Sequence, residues 1–379
     1  VTPACVLAAA SLAIWLYLLL GRGFFWRARV ERTPPSPGVA PEVVAVIPAR
    51  DEAAVIGRAV GSLLAQDYAG ALSVIVVDDH SRDGTAEVAR AAARALGAEE
   101  QLRVVGAPPL PSGWTGKLWA QQAGLAEVPE SAAYVLLTDA DIEHHGGNVA
   151  ELVARAEAGR LDLVSLMVRL SNRSFAERAL IPAFVFFFAM LYPFAWASDA
   201  ARPTAAAAGG CMLVRRTALA RLGGLARIRD ALIDDCALAR EIKGGGPIWL
   251  GLSRQTVSLR LYPALGDIWR MIARTAYTQL AYSPALLAGT VLGMVVTYLA
   301  PPLLLFAGSA AAWLGLAAWL LMSFSFMPML RLYGQSPLWA PLLPLIALFY
   351  LGATIDSARR HWQGKGGEWK GRVHSRQSA

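Results

Sequence analysis

Two kinds of hydrophobic pattern share this chain. Residues 3–20 carry no charge and are rich in Leu and Ala, long enough to cross or nearly cross a bilayer. From residue 42 the apolar runs shorten and alternate with stretches of helical spacing. Strands are expected at 43–47, 72–77, 102–105, 134–138 and 162–168, and helices over 51–66, 83–96 and from the loop at 113 to 126. Such alternation predicts βαβ units and a largely parallel sheet. Further helices are expected at 234–242 and 266–282, with short strands at 248–252 and 256–261. Residues 179–197 are uncharged, rich in Phe, and hold Pro182 and Pro193; they read as an interfacial or re-entrant element. Residues 284–326 are uncharged and long enough for two spans, and 337–355 for another.

Composition agrees with a membrane protein that has a soluble part. The 379 residues are 55% hydrophobic, and mean hydropathy is +0.42. The net charge of +7 lies in two segments: 21–33 contributes +3 (four Arg, one Glu) and 356–379 contributes +4 (six Lys/Arg, two acids). The stretch between them is neutral, which excludes a nucleic-acid binder with a basic face. Arg22, Arg27, Arg29 and Arg32 follow the first apolar run, whereas a cleavable signal peptide has its positive charges before it. The expectation is an uncleaved anchor with its N-terminus outside and the next domain cytoplasmic. Three C-terminal spans would then put the basic tail outside, so one apolar segment is expected to be re-entrant or interfacial, with Pro301-Pro302 and Pro341/Pro344 as the interruptions. Cys5, Cys211 and Cys236 show no ligand spacing and suit a reducing compartment.

The chemistry centres on the strand at 134–138, which runs straight into Asp139-Ala140-Asp141. Carboxylates at i and i+2 leave an extended chain on one side. At the carboxyl end of a parallel strand they suit Mg²⁺ or Mn²⁺ that also holds phosphates. Three more acidic pairs stand after strands or at helix starts: Asp51-Glu52, Asp78-Asp79 and Asp234-Asp235. His144-His145 leaves a zinc site open, against a polar loop leading into a helix.

Six stretches, in order across residues 42–282, resemble family 2 glycosyltransferases of GT-A fold. They are Val46-Ile47-Pro48-Ala49-Arg50-Asp51-Glu52, Val76-Val77-Asp78-Asp79-His80-Ser81-Arg82-Asp83-Gly84-Thr85, Gly113-Trp114-Thr115-Gly116-Lys117, Thr138-Asp139-Ala140-Asp141, Gly209-Gly210 with Arg215-Arg216, and Asp234-Asp235-Cys236-Ala237-Leu238. The membrane plan and the tail Trp369-Lys370-Gly371-Arg372 resemble the ceramide-glucosyltransferase-like branch, most closely the hopanoid-biosynthesis-associated glycosyltransferases of bacteria.

This resemblance implies an α/β, Rossmann-like GT-A nucleotide-sugar-binding domain with transmembrane helices. It implies an inverting transfer of one sugar from a nucleotide-sugar, a UDP-sugar, to a hydroxyl of a lipid of hopanoid or sphingolipid type. Pro48, Ala49, Glu52, Asp78, Asp79, Lys117, Asp139 and Arg274 would hold the nucleotide, and Asp141 with Asp139 the Mg²⁺ or Mn²⁺. Asp235 would be the general base, and Gly209, Gly210, Asp234, Phe186, Phe187 and Trp196 would lie on the acceptor side. Many membrane members carry Gln-x-x-Arg-Trp where this chain has Met271-Ile272-Ala273-Arg274-Thr275, which speaks for single transfer over polymer synthesis. Alternatives are a polyprenyl-phosphate acceptor met by Arg215-Arg216, or a catalytically silent membrane scaffold. The expected domains are an anchor at 1–21, a basic and Pro-rich linker at 22–41, a cytoplasmic catalytic domain at 42–282 containing the interfacial segment 179–197, C-terminal helices at 283–356 and a basic cytoplasmic tail at 357–379. The expected setting is a bacterial inner membrane, with no nucleic-acid partner.

Overall fold

The computed structural model describes residues 2–35, 38, 40–364, 368, 369, 372 and 373. Lys370 and Gly371 of the tail resemblance, and most of the basic tail with them, lie outside the described residues. The chain forms two compact units.

The first unit, residues 30–170 and 196–260, is built on one eight-stranded sheet. Its strands are β1 (Val43–Ala49), β2 (Leu72–Asp78), β3 (Leu102–Gly106), β4 (Tyr134–Thr138), β5 (Ile142–Glu143), β6 (Leu163–Arg169), β7 (Cys211–Arg215) and β8 (Ile248–Ser258), in spatial order 3-2-1-4-7-6-8-5. β1, β2, β3 and β4 are mutually parallel; β7 runs antiparallel between β4 and β6; β6 and β8 are parallel; and β5 returns antiparallel on β8. Every residue of β1 and β4 is buried, as expected of strands covered on both faces. Val44 and Val46 pack on one face against Leu118 and Leu238; Val43 and Ile47 pack on the other against Ile56, Val60 and Leu152. The two short strands expected at 248–252 and 256–261 are one strand, with a register irregularity opposite Met167 and Arg169. The first helix, Ile56–Leu64, starts later than expected. Asp51 is left-handed (φ 50°), and residues 51–53 are tied to the next loop: Asp51 N–H donates to Ser81 Oγ (3.0 Å) and Ala53 N–H to Asp83 Oδ2 (2.9 Å).

The second unit, residues 1–29, 171–195 and 261–368, is helical. Four of its segments are long and apolar enough to cross a membrane: Pro3–Leu20, Pro284–Ala307, Ala310–Leu332 and Pro337–Trp362. Pro301 and Pro302 do not break the second of these. Proline has no N–H to offer the carbonyl four or five residues back, so Thr297 would be left with an orphan acceptor. A π turn at Val295–Leu299 takes up the strain, and the Trp15 indole N–H donates to Thr297 O at 2.8 Å. The Phe-rich stretch forms the helix Phe175–Leu191, opened by a capping box of Ser174 and Glu177. Phe186 is fully buried, with its ring against Phe25, Phe187 and Phe326, and Phe187 stacks edge-on with Tyr298 and Tyr350. Phe186 therefore offers no face to a lipid: mutual aromatic packing has used it up.

Candidate active site

The carboxyl ends of β1, β2 and β4 bring their acidic loops to one edge of the sheet. In β1 the missing N–H of Pro48 falls beyond the last pairing with β4, Val46↔Leu137, so the strand tolerates it. Asp79 is buried (1% exposed) and lies beside Arg50, whose Nη1 donates to the Asp79 carbonyl at 2.7 Å and approaches its Oδ2 at 3.4 Å. Asp78 accepts the Ser81 N–H (3.1 Å) and shapes the turn. Asp83 holds Thr85 and Ala53, a capping and loop-tying role.

Thr115 caps the helix Gly116–Ala126, and its own N–H donates to Arg229 O at 2.8 Å. That bond ties the Lys117 loop to the loop before the helix Asp234–Lys243. Lys117 Nζ then sits 2.9 Å from Asp139 Oδ1 and 3.0 Å from Asp234 Oδ2. Burial works against its charge, but the surrounding carboxylates Asp139, Asp234 and Asp235 prevail and raise its pKa. Asp235 accepts the Gly209 N–H at 2.9 Å and the Cys236 N–H at 2.7 Å. Burial first, and the negative charge of Asp234 second, push its carboxyl up to about 6, with Lys117 opposing. A Cβ on Gly209 would stand 3.3 Å from Lys117 Nζ, a tight approach to which the end of the lysine must yield by a few tenths of an ångström, and 3.5 Å from Asp235 Oδ2, an ordinary contact.

Asp141 is engaged by a residue that sequence reasoning missed. Arg260 Nε donates to Asp141 Oδ2 at 2.7 Å, and its Nη2 to Glu52 Oε1 at 2.8 Å. Arg260 follows β8, and only the β5–β8 pairing brings it here; nothing in the local sequence announces that pairing. His144 is no zinc ligand in this arrangement. Its Nδ1 accepts from Asn148 Nδ2 (2.9 Å), and its Nε2 meets Thr138 Oγ1 (3.0 Å), which in turn donates to Gly210 O (2.7 Å). Burial, and then the neighbouring His145, hold its pKa down at about 3.

Other expected residues lie elsewhere. Arg215 pairs with Glu157 at 3.2 Å, and Arg216 donates to Ala132 O at 2.8 Å. The antiparallel register sets Tyr134 against Arg215 and Thr138 against Cys211. Arg215 is therefore about 17 Å of strand away from Asp139, and Arg216 farther still. This corrects their expected use as an acceptor-phosphate site: the turn of β7 carries them to the opposite end of β4. Trp196 lies on the short helix Phe194–Ala197 under the Arg202 guanidinium, and its carbonyl accepts from Lys243 Nζ (3.1 Å). Arg274 is an exposed residue on the helix Leu265–Gln279 of the helical unit.

Among the described residues no three His, Cys, Asp or Glu side chains form a metal set. A divalent ion that keeps phosphate and water ligands needs only one or two carboxylates. Asp139 and Asp141 meet that requirement: burial raises the Asp139 carboxyl, Lys117 lowers it, and the charges of Asp141 and Asp234 raise it further. Five carboxylates (Glu52, Asp139, Asp141, Asp234 and Asp235) face two cations, Lys117 and Arg260. The donor set fits a divalent cation.

Residues 44–223 match the family model Glycosyl transferase family 2. Among solved structures the chain resembles the mannosyltransferase PcManGT from Pyrobaculum calidifontis, in complex with GDP-Man and Mn²⁺, at 20% identity over 93% of this chain and 98% of that one, with a TM-score of 0.61. It also resembles S. aureus TarS 1-349 (13% identity, 85% and 92% covered, TM-score 0.42). A third likeness is to glucosyl-3-phosphoglycerate synthase from Mycobacterium tuberculosis in complex with phosphoglyceric acid (19%, 66% and 87%, TM-score 0.42). No curated protein matches the sequence. At such identities the likeness to the first is one of fold, a mixed α/β GT-A-like sheet. The family match covers β1 to β7, a little under half of the chain, and glycosyl transfer is the activity class it supports.

Proposed function

We propose that this glycosyltransferase moves one sugar from a nucleotide-sugar, a UDP-sugar first among candidates, to the hydroxyl of a membrane lipid of hopanoid or sphingolipid type, with inversion. The observation that carries the reading is the Asp235 carboxylate, fixed by Gly209 N–H beside the Lys117–Asp139 pair. An acceptor hydroxyl needs a base near the anomeric carbon, and a base works best with a pKa close to the working pH. Burial and Asp234 give Asp235 that character. Lys117 offsets the charge of Asp139 and Asp234, leaving Asp235 as the carboxylate for the acceptor proton.

On the donor side, Asp79 and Asp78 accept hydrogen bonds from base and ribose, and Lys117 places a positive charge by the diphosphate. Mg²⁺ or Mn²⁺ held by Asp141 with Asp139 would neutralise the charge that builds on the departing nucleotide diphosphate. The solved complex with GDP-Man and Mn²⁺ supports this assignment. The lipid acceptor rests on the four candidate spans in the same chain. The cytoplasmic face of a bacterial inner membrane rests on Arg22, Arg27, Arg29 and Arg32 after the first span. The test incubates membranes carrying the protein with labelled UDP- and GDP-sugars and extracts the lipid. Label in a single-sugar glycolipid that vanishes in Asp235→Asn is the expected result. Label confined to water-soluble product or to polymer would overturn the acceptor assignment.

A further inference from the structure

Arg260 is delivered to the acidic edge by main-chain register. β5 and β8 pair Ile142↔Ser258 and Glu143↔Val257, and Leu259 N–H donates to Asp141 O at 2.7 Å. The next residue is thus fixed beside Asp141, and its guanidinium forks between two carboxylates. Nε meets Asp141 at 2.7 Å and Nη2 meets Glu52 at 2.8 Å. The carboxylates are deep, with side chains 10% and 13% exposed, while Arg260 is 41% exposed. The cation therefore closes the acidic pair from the solvent side. A guanidinium is permanently charged, and its planar fork suits carboxylate and phosphate alike.

We propose that Arg260 is the resident counter-ion of Asp141 and Glu52 before donor binds, and that it is handed to the donor's diphosphate when a divalent ion takes Asp141. The inference rests on the donor and metal reading above. A metal ion on Asp141 and a guanidinium on the same carboxylate repel one another, so they compete. Once displaced, the guanidinium stays tethered at residue 259, and the nucleotide diphosphate is the new anion that enters. No covalent bond is made or broken in this exchange; one ion pair replaces another. Arg260 thereby acts twice with opposite sign: it weakens metal binding in the empty enzyme and strengthens nucleotide binding in the loaded one. Metal and donor would bind cooperatively as a result, because each removes the other's competitor.

The experiment measures binding rather than turnover, on the full chain purified in detergent. Mn²⁺ affinity is read by paramagnetic resonance without nucleotide, and UDP and GDP affinities by calorimetry in saturating Mn²⁺. Arg260→Gln is expected to bind Mn²⁺ alone roughly tenfold tighter and the nucleoside diphosphate roughly tenfold weaker, the scale of one charge-assisted contact. Arg260→Lys keeps the charge but not the fork; its Mn²⁺ affinity is expected between the other two, which separates competition from misfolding. Unchanged or weaker Mn²⁺ binding in Arg260→Gln, or unchanged UDP and GDP binding, overturns the proposal. If wild type binds both ligands and the variant matches it, only the role of Arg260 falls. If wild type binds neither Mn²⁺ nor UDP or GDP, the donor and metal reading falls with it.

Discussion

In the proposed transfer Asp235 is the residue on which the most chemistry turns, and its environment makes opposite demands on activity and stability. Its carboxyl, raised to about 6 from 3.8, must be ionised to accept a proton, so turnover should climb as pH rises through about 6 and then level off. Asp235→Asn should bind donor normally and lose roughly 10²-fold or more in kcat, the usual worth of a general base. The folded protein holds this proton at pH values where the unfolded chain has released it. Stability from this group therefore falls as pH rises from 3.8 to about 6. Thermal melts at neutral pH should accordingly find Asp235→Asn no less stable than wild type. Gly209→Ala is expected to melt near wild type and to lower transfer, because its Cβ, 3.3 Å from Lys117 Nζ, would make the end of that side chain shift by a few tenths of an ångström. A melt and a transfer assay side by side check this; retained transfer would show that the lysine has room to shift. The positions of Asp139 and Asp141 after a strand, and of Asp235 at a helix start, were legible because those elements announce themselves locally. Arg50 and Arg260 were not legible as partners, since their roles depend on loops and strands far apart in sequence.

At the scale of elements, a chain of buried polar groups ties four pieces of the sheet unit together behind the acidic edge. Thr256 Oγ1 donates to Asn148 Oδ1 (2.9 Å), and the line continues through His144 and Thr138 to Gly210 O. It links β8, the helix Asn148–Ala158, the end of β4 and the turn before β7. The last two carry Asp139 and Gly209, so the network sets the spacing between Asp139 and the Gly209 N–H that holds Asp235. His144 is held neutral with a pKa of about 3, below its ordinary 6.5. The unfolded state takes up this proton first, so the stability His144 confers is full above 6.5 and is lost as pH falls from there toward 3. His144→Gln should flatten that acid slope in melts between pH 6.5 and 4, while lowering stability at neutral pH through a broken bond. An unaltered slope would show that other groups govern acid loss. The strand positions were legible from apolar runs; the antiparallel β7 and the long β8 were not, because period-two patterning carries no direction.

At the scale of the molecule, the four apolar segments predict that the protein stays with membranes through an alkaline carbonate wash. Release into the supernatant would count against the spans. The acidic pairs in order pointed to the stretch that matches family 2, but the division of the chain was not visible in them. The sequence reads as one catalytic stretch from 42 to 282, whereas contacts assign 171–195 and 261–282 to the helical unit. Both stretches bury aromatic side chains among membrane-type helices, a preference that composition alone shares with any core helix.

That division has a consequence for how the protein is made and inherited. The chain crosses between its units at 29/30, 170/171, 195/196, 260/261 and 368/369. A ribosome completes β1 to β6, then must emit a helix belonging to the other unit before it can supply β7, Asp235 and β8. The part of the sheet that carries Asp79 and Asp139 thus exists in the nascent chain before the part that places Gly209 and Asp235, and the sheet is never complete before Phe175–Leu191 has been made. A single proteolytic cut cannot release the sheet unit: cuts near 29/30 and 260/261 are both needed, and the piece between them keeps 171–195 of the helical unit. For the same reason the sheet unit cannot be traded as a cassette by itself. A recombination event that moved it would carry the helix Phe175–Leu191 along, away from the rest of its unit.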